Sequence, residues 1–200
     1  MKTFLKILAA IFVLLIAFVL IAPLFIANDY SVEKSVYINA DQEFVHSVAA
    51  DFRQFDNWNP WLKLDPNMEI EVNGESGAVG STYHWKGNDE AGEGIMKITE
   101  KDEEKISVLL KFITPFESES MNYYHAKNDE GMTKFIWQMD GSMPYPLNIM
   151  FLFMDFEKEI GNDFEEGLMN LKKHIELNFL KEEEVFSEET EEEELEEVNI

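Results

Sequence analysis

The sequence predicts an α+β domain in which a seven-stranded, curved antiparallel sheet wraps around one long C-terminal helix, preceded by a single transmembrane helix. Three observations lead there. An uncharged apolar run lies near the N-terminus, short alternating segments separated by turn residues follow it, and after Pro146 the apolar period changes from two residues to about 3.6.

The apolar run comes first. Residues 7–27 carry no charge over 21 positions, and a helix of that length spans about 31 Å, close to a bilayer's hydrocarbon thickness. A cleaved signal peptide is the competing reading, but its apolar region is shorter and needs small residues before the cut. A cut after Ala27 would place Phe25 three residues before it. The anchor is therefore expected to stay, as a unit of residues 1–28. Lys2 and Lys6 precede it and Asp29 follows, which leaves the N-terminus cytoplasmic and the domain periplasmic or extracellular.

The domain is expected over residues 29–180. Residues 33–38 alternate charged and apolar side chains and read as a first strand. Asp41 is a plausible N-cap for a short helix to about Ala50, and a second helical turn covers 53–58. Segments 68–72, 81–85, 94–100, 105–113, 119–127 and 132–140 then read as strands, separated by Gly, Asn, Asp or Pro, in a meander of hairpins. Past Pro144 and Pro146, Ile149, Phe153, Phe156, Ile160, Phe164, Leu168, Leu171 and Ile175 form one apolar stripe on a long helix. Residues 181–200 are mostly Glu and read as a disordered tail or a frayed helix.

Charge narrows the partners. The chain has 40 acidic and 16 basic residues; the tail holds 11 of the acids, which leaves the domain itself near −16. Such a field repels phosphate backbones, so nucleic acid is excluded as a partner class. With no Cys there is no disulfide, thiolate ligand or thiol nucleophile. His46, His84, His125 and His174 lie far apart without metal-ligand spacing. No cofactor is expected, and the sequence names no protein partner.

A set of local features in this order resembles the START-like superfamily, also called the SRPBCC or polyketide cyclase/lipid transport group. They are Val36-Tyr37-Ile38-Asn39-Ala40 leading into Glu43-Phe44-Val45, Trp58-Asn59-Pro60-Trp61, the turn and strand from Gly77 to Trp85, and Gly92-Glu93-Gly94. Gly131-Met132-Thr133 before Phe135-Ile136-Trp137, and Asp163 to Leu168, complete them. The likeness runs over residues 30–180 and is closest to bacterial members carrying an N-terminal membrane helix. It implies a helix-grip fold with an apolar cavity between sheet and long helix, used by different members for lipid carriage, small-ligand sensing, cyclisation or co-chaperone contact. Fold alone does not choose among these.

Candidate ligand-binding residues follow from the aromatic content. Trp58 and Trp61 flank Asn59-Pro60 at an expected cavity entrance, with core plugging as the alternative. Tyr83 and Trp85 share one strand parity, and Trp137 faces the same interior. Phe112, Tyr123, Phe153 and Phe164 complete the expected lining. Asp155, Glu159 and Asp163 fall four apart on the long helix and read as a solvated face. The run 143–154 has almost no polar face; burial on several sides is the preferred cause, an apolar rim at the bilayer the alternative. The resulting expectation is a membrane-anchored, non-catalytic binding domain for a lipid or other hydrophobic small molecule. A cyclase- or hydrolase-type enzyme and a co-chaperone-like interaction module stand as alternatives.

Overall fold

The computed structural model describes residues 2–198, with side chains at 2–155 and 157–178. Helix α1 spans Lys2–Ile21 and buries none of its residues; with the 3-10 turn Ala22–Phe25 it forms a stretch long and apolar enough to cross a membrane. Strand β1 (Asp29–Ile38) leads to α2 (Gln42–Ala50), whose start is fixed by Asp41: its carboxylate accepts from the Phe44 N–H at 2.8 Å. Two 3-10 turns follow, Phe55–Asn57 and Leu62–Leu64, of which the second has no counterpart in the sequence reading.

The meander then runs as β2 (Glu69–Asn73), β3 (Thr82–Lys86), β4 (Glu93–Lys101), β5 (Lys105–Thr114), β6 (Ser118–Asp129) and β7 (Met132–Ser142). All pairs are antiparallel and the order is β1-β7-β6-β5-β4-β3-β2. The meander folds back so that β1 pairs with the last strand, Tyr30 opposite Gly141 and Val36 opposite Phe135. Register shifts in the β4–β5 pair near Gly94 and Ile98 bend the sheet. This is the helix-grip architecture expected from the sequence.

Helix α3 (Phe156–Val198) closes the inner face of the sheet. Phe164, Leu168, Leu171 and Ile175 are buried in one core with Ile38, Ile106, Val108 and Phe135. Gly167 lets the helix approach closely, since a Cβ there would fall 2.9 Å from the Trp137 ring. Charged residues tie the helix flanks to the sheet and loops. Lys34 pairs with Glu165, Lys63 with Glu166, and the Lys172 ammonium reaches both the Tyr37 carbonyl and Glu176. The helical backbone continues through the acidic tail to Val198, but the tail's side chains lie outside the described residues.

Two expectations are corrected here. The long helix does not begin near Ile149: Leu147–Leu152 is a separate 3-10 helix, and α3 starts only at Phe156. Two side chains cause the break. Asp155 accepts from the Lys158 N–H at 3.1 Å and so caps the new helix. Asn148 is fully buried and donates instead to the junction after α1. Preferred burial of 143–154 also fails, because Leu147, Met150, Leu152, Phe153 and Met154 are exposed.

Candidate functional site

Between sheet and α3 lies an aromatic cluster built from five elements. Trp137 on β7 stacks on Phe164 of α3, centroids 4.0 Å apart and planes at 13°. Trp58 and Trp61, from the loop after α2, meet Trp137 edge-on at 5.3 and 5.7 Å. Tyr124 on β6 contacts Trp58 and Trp137, and Phe55 joins Trp58 to Tyr83. Four of the expected residues, Trp58, Trp61, Trp137 and Phe164, thus come together, with Tyr83 one ring away. Trp58, Tyr83, Trp137 and Phe164 are buried and Trp61 is half-buried. The rings are in mutual contact, so these aromatics pack as core.

Trp85 and Phe112 form a second pair, 5.5 Å apart and edge-on, near the register shift at Gly94 of β4. Trp85 lies over that glycine, where a Cβ would come within 2.2 Å of its ring. Its N–H donates to the Ala91 carbonyl at 3.1 Å.

Two expected residues are elsewhere. Tyr123 points away from the interior, with the Lys105 ammonium 4.4 Å above its ring, while its neighbour Tyr124 faces in. The cross-strand pairing of Tyr124 with Trp137 fixes that parity. Phe153 is not on α3 but exposed at 73% beside the end of α1.

Polar groups within the cluster define its chemistry. The Tyr83 hydroxyl donates to Asp56 at 2.6 Å, and burial first, then that carboxylate, raises its pKa far above the ordinary phenol. It stays protonated and already committed to an acceptor. Trp61 Nε1 donates to Asp163 at 2.9 Å, so this carboxylate is not on a solvated face as expected. Trp58 Nε1 and the Tyr124 hydroxyl are buried without a hydrogen-bond partner among the described residues. A lone polar atom at such a depth was not legible in the alternation pattern. Among the described residues no three of His, Asp or Glu are placed to hold a metal ion.

Two clefts lie at the other end, near where the domain meets α1. One cleft of about 640 Å³ is lined by Tyr30 and Ser31 of β1, Leu109 of β5, Ser120 and Met121 of β6, and Gly141 of β7, with Asp29, Glu119, Asp140 and Glu157 around it. A second, of about 540 Å³, adjoins it through Asp29, Tyr30 and Glu157 and is lined by Ile26 and Phe151 to Met154. Phe153 therefore does line a cleft, although not the expected one. Gly141 leaves room for the Tyr30 ring, which meets Phe151 edge-on at 6.1 Å. Both clefts are shallow and wide open, and they combine apolar side chains with carboxylates in their lining.

Neither a protein-family model nor a curated protein matches the sequence. Solved structures do match the fold. The chain is similar to norcoclaurine synthase from Thalictrum flavum in complex with dopamine and hydroxybenzaldehyde, with a TM-score of 0.55 and 12% identity over 78% of this chain and 91% of that one. A protein from Thermus thermophilus matches with a TM-score of 0.53 and 14% identity, over 73% of this chain and 97% of that one. The Aha1 dimer from Colwellia psychrerythraea matches with a TM-score of 0.50 and 14% identity, over 74% and 96%. At such identities the likeness establishes the fold and says nothing of activity.

Proposed function

We propose that this chain is a membrane-anchored, non-catalytic binding domain for a lipid or another hydrophobic small molecule, of the SRPBCC kind. One observation carries the reading: two adjoining clefts of about 640 and 540 Å³ open where the domain joins the apolar helix, with Tyr30, Met121, Phe151, Leu152 and Phe153 as apolar walls. An acyl or aromatic moiety fits those walls, and its polar end fits the Ser and carboxylate margin. With α1 across the membrane and its N-terminus in the cytoplasm, the clefts face the outer leaflet, from which such a ligand is drawn. The named neighbours include both a small-molecule synthase and Aha1, so the fold is compatible with more than one use.

The non-catalytic part rests on the lining of the clefts: Asp29, Glu119 and Glu157 are exposed, Asp140 already accepts from Ser31 and Gln138, and Tyr83, the donor expected inside, lies in the packed core bonded to Asp56. The ring-to-ring packing around Trp137 favours a second reading, an interaction module that uses the exposed rim at Leu152 to Met154. Native mass spectrometry of the full chain released from phosphatidylcholine nanodiscs separates the two. Bound lipid that is lost in Ser142→Trp, a substitution that fills the larger cleft, supports binding. A bare chain in both proteins overturns it, and crosslinking in cells then identifies the partner of the rim.

A further inference from the structure

The segment between β7 and α3 is bonded to the apolar helix itself as well as to the linker after it. The Tyr145 hydroxyl donates to the Leu20 carbonyl at 2.9 Å. The Asn148 amide donates to the carbonyls of Pro23 and Ile26, at 2.9 and 3.1 Å, and to the Asn28 side chain at 2.8 Å. The Met143 N–H reaches the Asn28 carbonyl at 2.8 Å. Leu20 lies five residues inside the apolar stretch Lys2–Phe25, so the contact made by Tyr145 is about 7–8 Å back from its end at a helical rise.

The polarity of this segment is inverted relative to a soluble surface. Asn148 points inward and is fully buried, whereas Leu147, Met150, Leu152, Phe153 and Met154 point outward and are exposed, alongside Leu24 and Phe25 of the helix end. Pro23 and the 3-10 turn around it interrupt the helical ladder and free backbone carbonyls. The Pro23 carbonyl also accepts from the Ile26 N–H at 3.3 Å; in hydrocarbon every such carbonyl needs a protein donor. Asn148 supplies donors to two of them.

We propose that residues 145–154 enter the outer-leaflet interface of the bilayer beside α1, as a second membrane contact that sets the domain's height and tilt. The inference rests on the reading that α1 crosses the membrane. The occupant of the apolar face is lipid because that face is continuous with the helix end. Asp155, Glu157 and Asp29 follow immediately and limit the insertion to a shallow one. It is driven by apolar contact, and the domain's negative charge favours zwitterionic over anionic lipid.

The chain contains no cysteine, so single-site labelling of the full protein is direct. Phe153→Cys, Leu152→Cys, Val79→Cys and Ile11→Cys are each labelled with an environment-sensitive fluorophore. The proteins are reconstituted in phosphatidylcholine vesicles carrying quencher groups at shallow or deep positions of the acyl chain. All four positions are exposed, so folding is retained, and matching circular dichroism checks it. The expected result is several-fold stronger quenching at 152 and 153 than at 79, greatest with the shallow quencher, and deep quenching at 11. Position 11 quenched while 152 and 153 behave like 79 overturns the insertion and leaves the spanning helix standing. Position 11 also unquenched overturns both. Position 153 unquenched but forming crosslinks to itself assigns the face to a second copy and likewise overturns the proposal.

Discussion

The indole N–H of Trp61 donates to a carboxylate oxygen of Asp163 at 2.9 Å, joining the loop after α2 to α3 at a half-buried position. A hydrogen bond to a charged acceptor in that setting contributes about 1–2 kcal/mol. Asp163→Ala and Trp61→Phe should each lower stability by about that amount in chemical denaturation, whereas Asp163→Asn, which keeps an acceptor, should cost less. The double variant should fall short of the sum, because the two singles remove one shared contact. Full additivity would show that the bond does not form.

Packing separates two residues that were grouped together as ligand contacts. Phe164 is fully buried and stacked on Trp137, so Phe164→Ala should cost about 3–5 kcal/mol. Tyr123 faces outward, and Tyr123→Ala should cost no more than about 1 kcal/mol, since only a partly exposed cation–π contact is lost. Equal losses would place Tyr123 inside.

What was legible follows the range of the interactions involved. The Asp41 cap, the strand alternation and the stripe Phe164, Leu168, Leu171, Ile175 depend on neighbours within a turn or two, and the structure places them as expected. Tyr123 and Tyr124 are consecutive and equally apolar, so only the pairing of β6 with β7 decides which faces in. Phe153 keeps the helical period of its neighbours, yet Asn148 draws the chain 125 residues back to Pro23 and ends the helix there. A single Asn in an apolar run was the available signal, since a buried amide must find partners. Asp56 and Asp163 carried none, because a carboxylate that accepts from a distant Tyr or Trp looks like any surface acid.

Tyr124 is fully buried and its hydroxyl has no partner among the described residues, while burial raises its pKa well above the ordinary phenol. An unpaired buried hydroxyl is a net cost. Tyr124→Phe should therefore be neutral or stabilising, by up to about 1 kcal/mol. A clear loss of stability would reveal an internal acceptor, such as a water or a ligand atom between Tyr124 and Trp58.

Burial, and then the Lys101 cation, hold the His46 imidazole below its ordinary value of 6.5; burial leads in lowering His125 and His174 as well. The unfolded chain takes up protons at these sites before the folded one does. Their contribution is therefore complete above about pH 6.5 and is lost as pH falls toward each depressed folded value. The denaturation midpoint should drop between about pH 7.5 and 5.5, and His46→Gln, which does not titrate, should flatten part of the slope. A midpoint that holds steady over that interval would contradict the assignment.

Asn148 makes the most exacting demand on the junction, because two N–H donors serve three acceptors on Pro23, Ile26 and Asn28. Asn148→Leu keeps the volume and removes every amide donor, leaving the Pro23 carbonyl only the 3.3 Å bond from the Ile26 N–H and taking the amide away from the Ile26 carbonyl. The junction should then open, and the domain should lose its fixed orientation to α1. Spin labels at Ile11→Cys and Val79→Cys in nanodiscs should give a narrow distance distribution in the parent and a broad one in Asn148→Leu. Asn28→Ala should stay narrow, since it spares both carbonyl contacts. A narrow distribution in Asn148→Leu would assign the orientation to the remaining junction bonds, Tyr145 to the Leu20 carbonyl and Met143 to the Asn28 carbonyl, with the amide merely filling space.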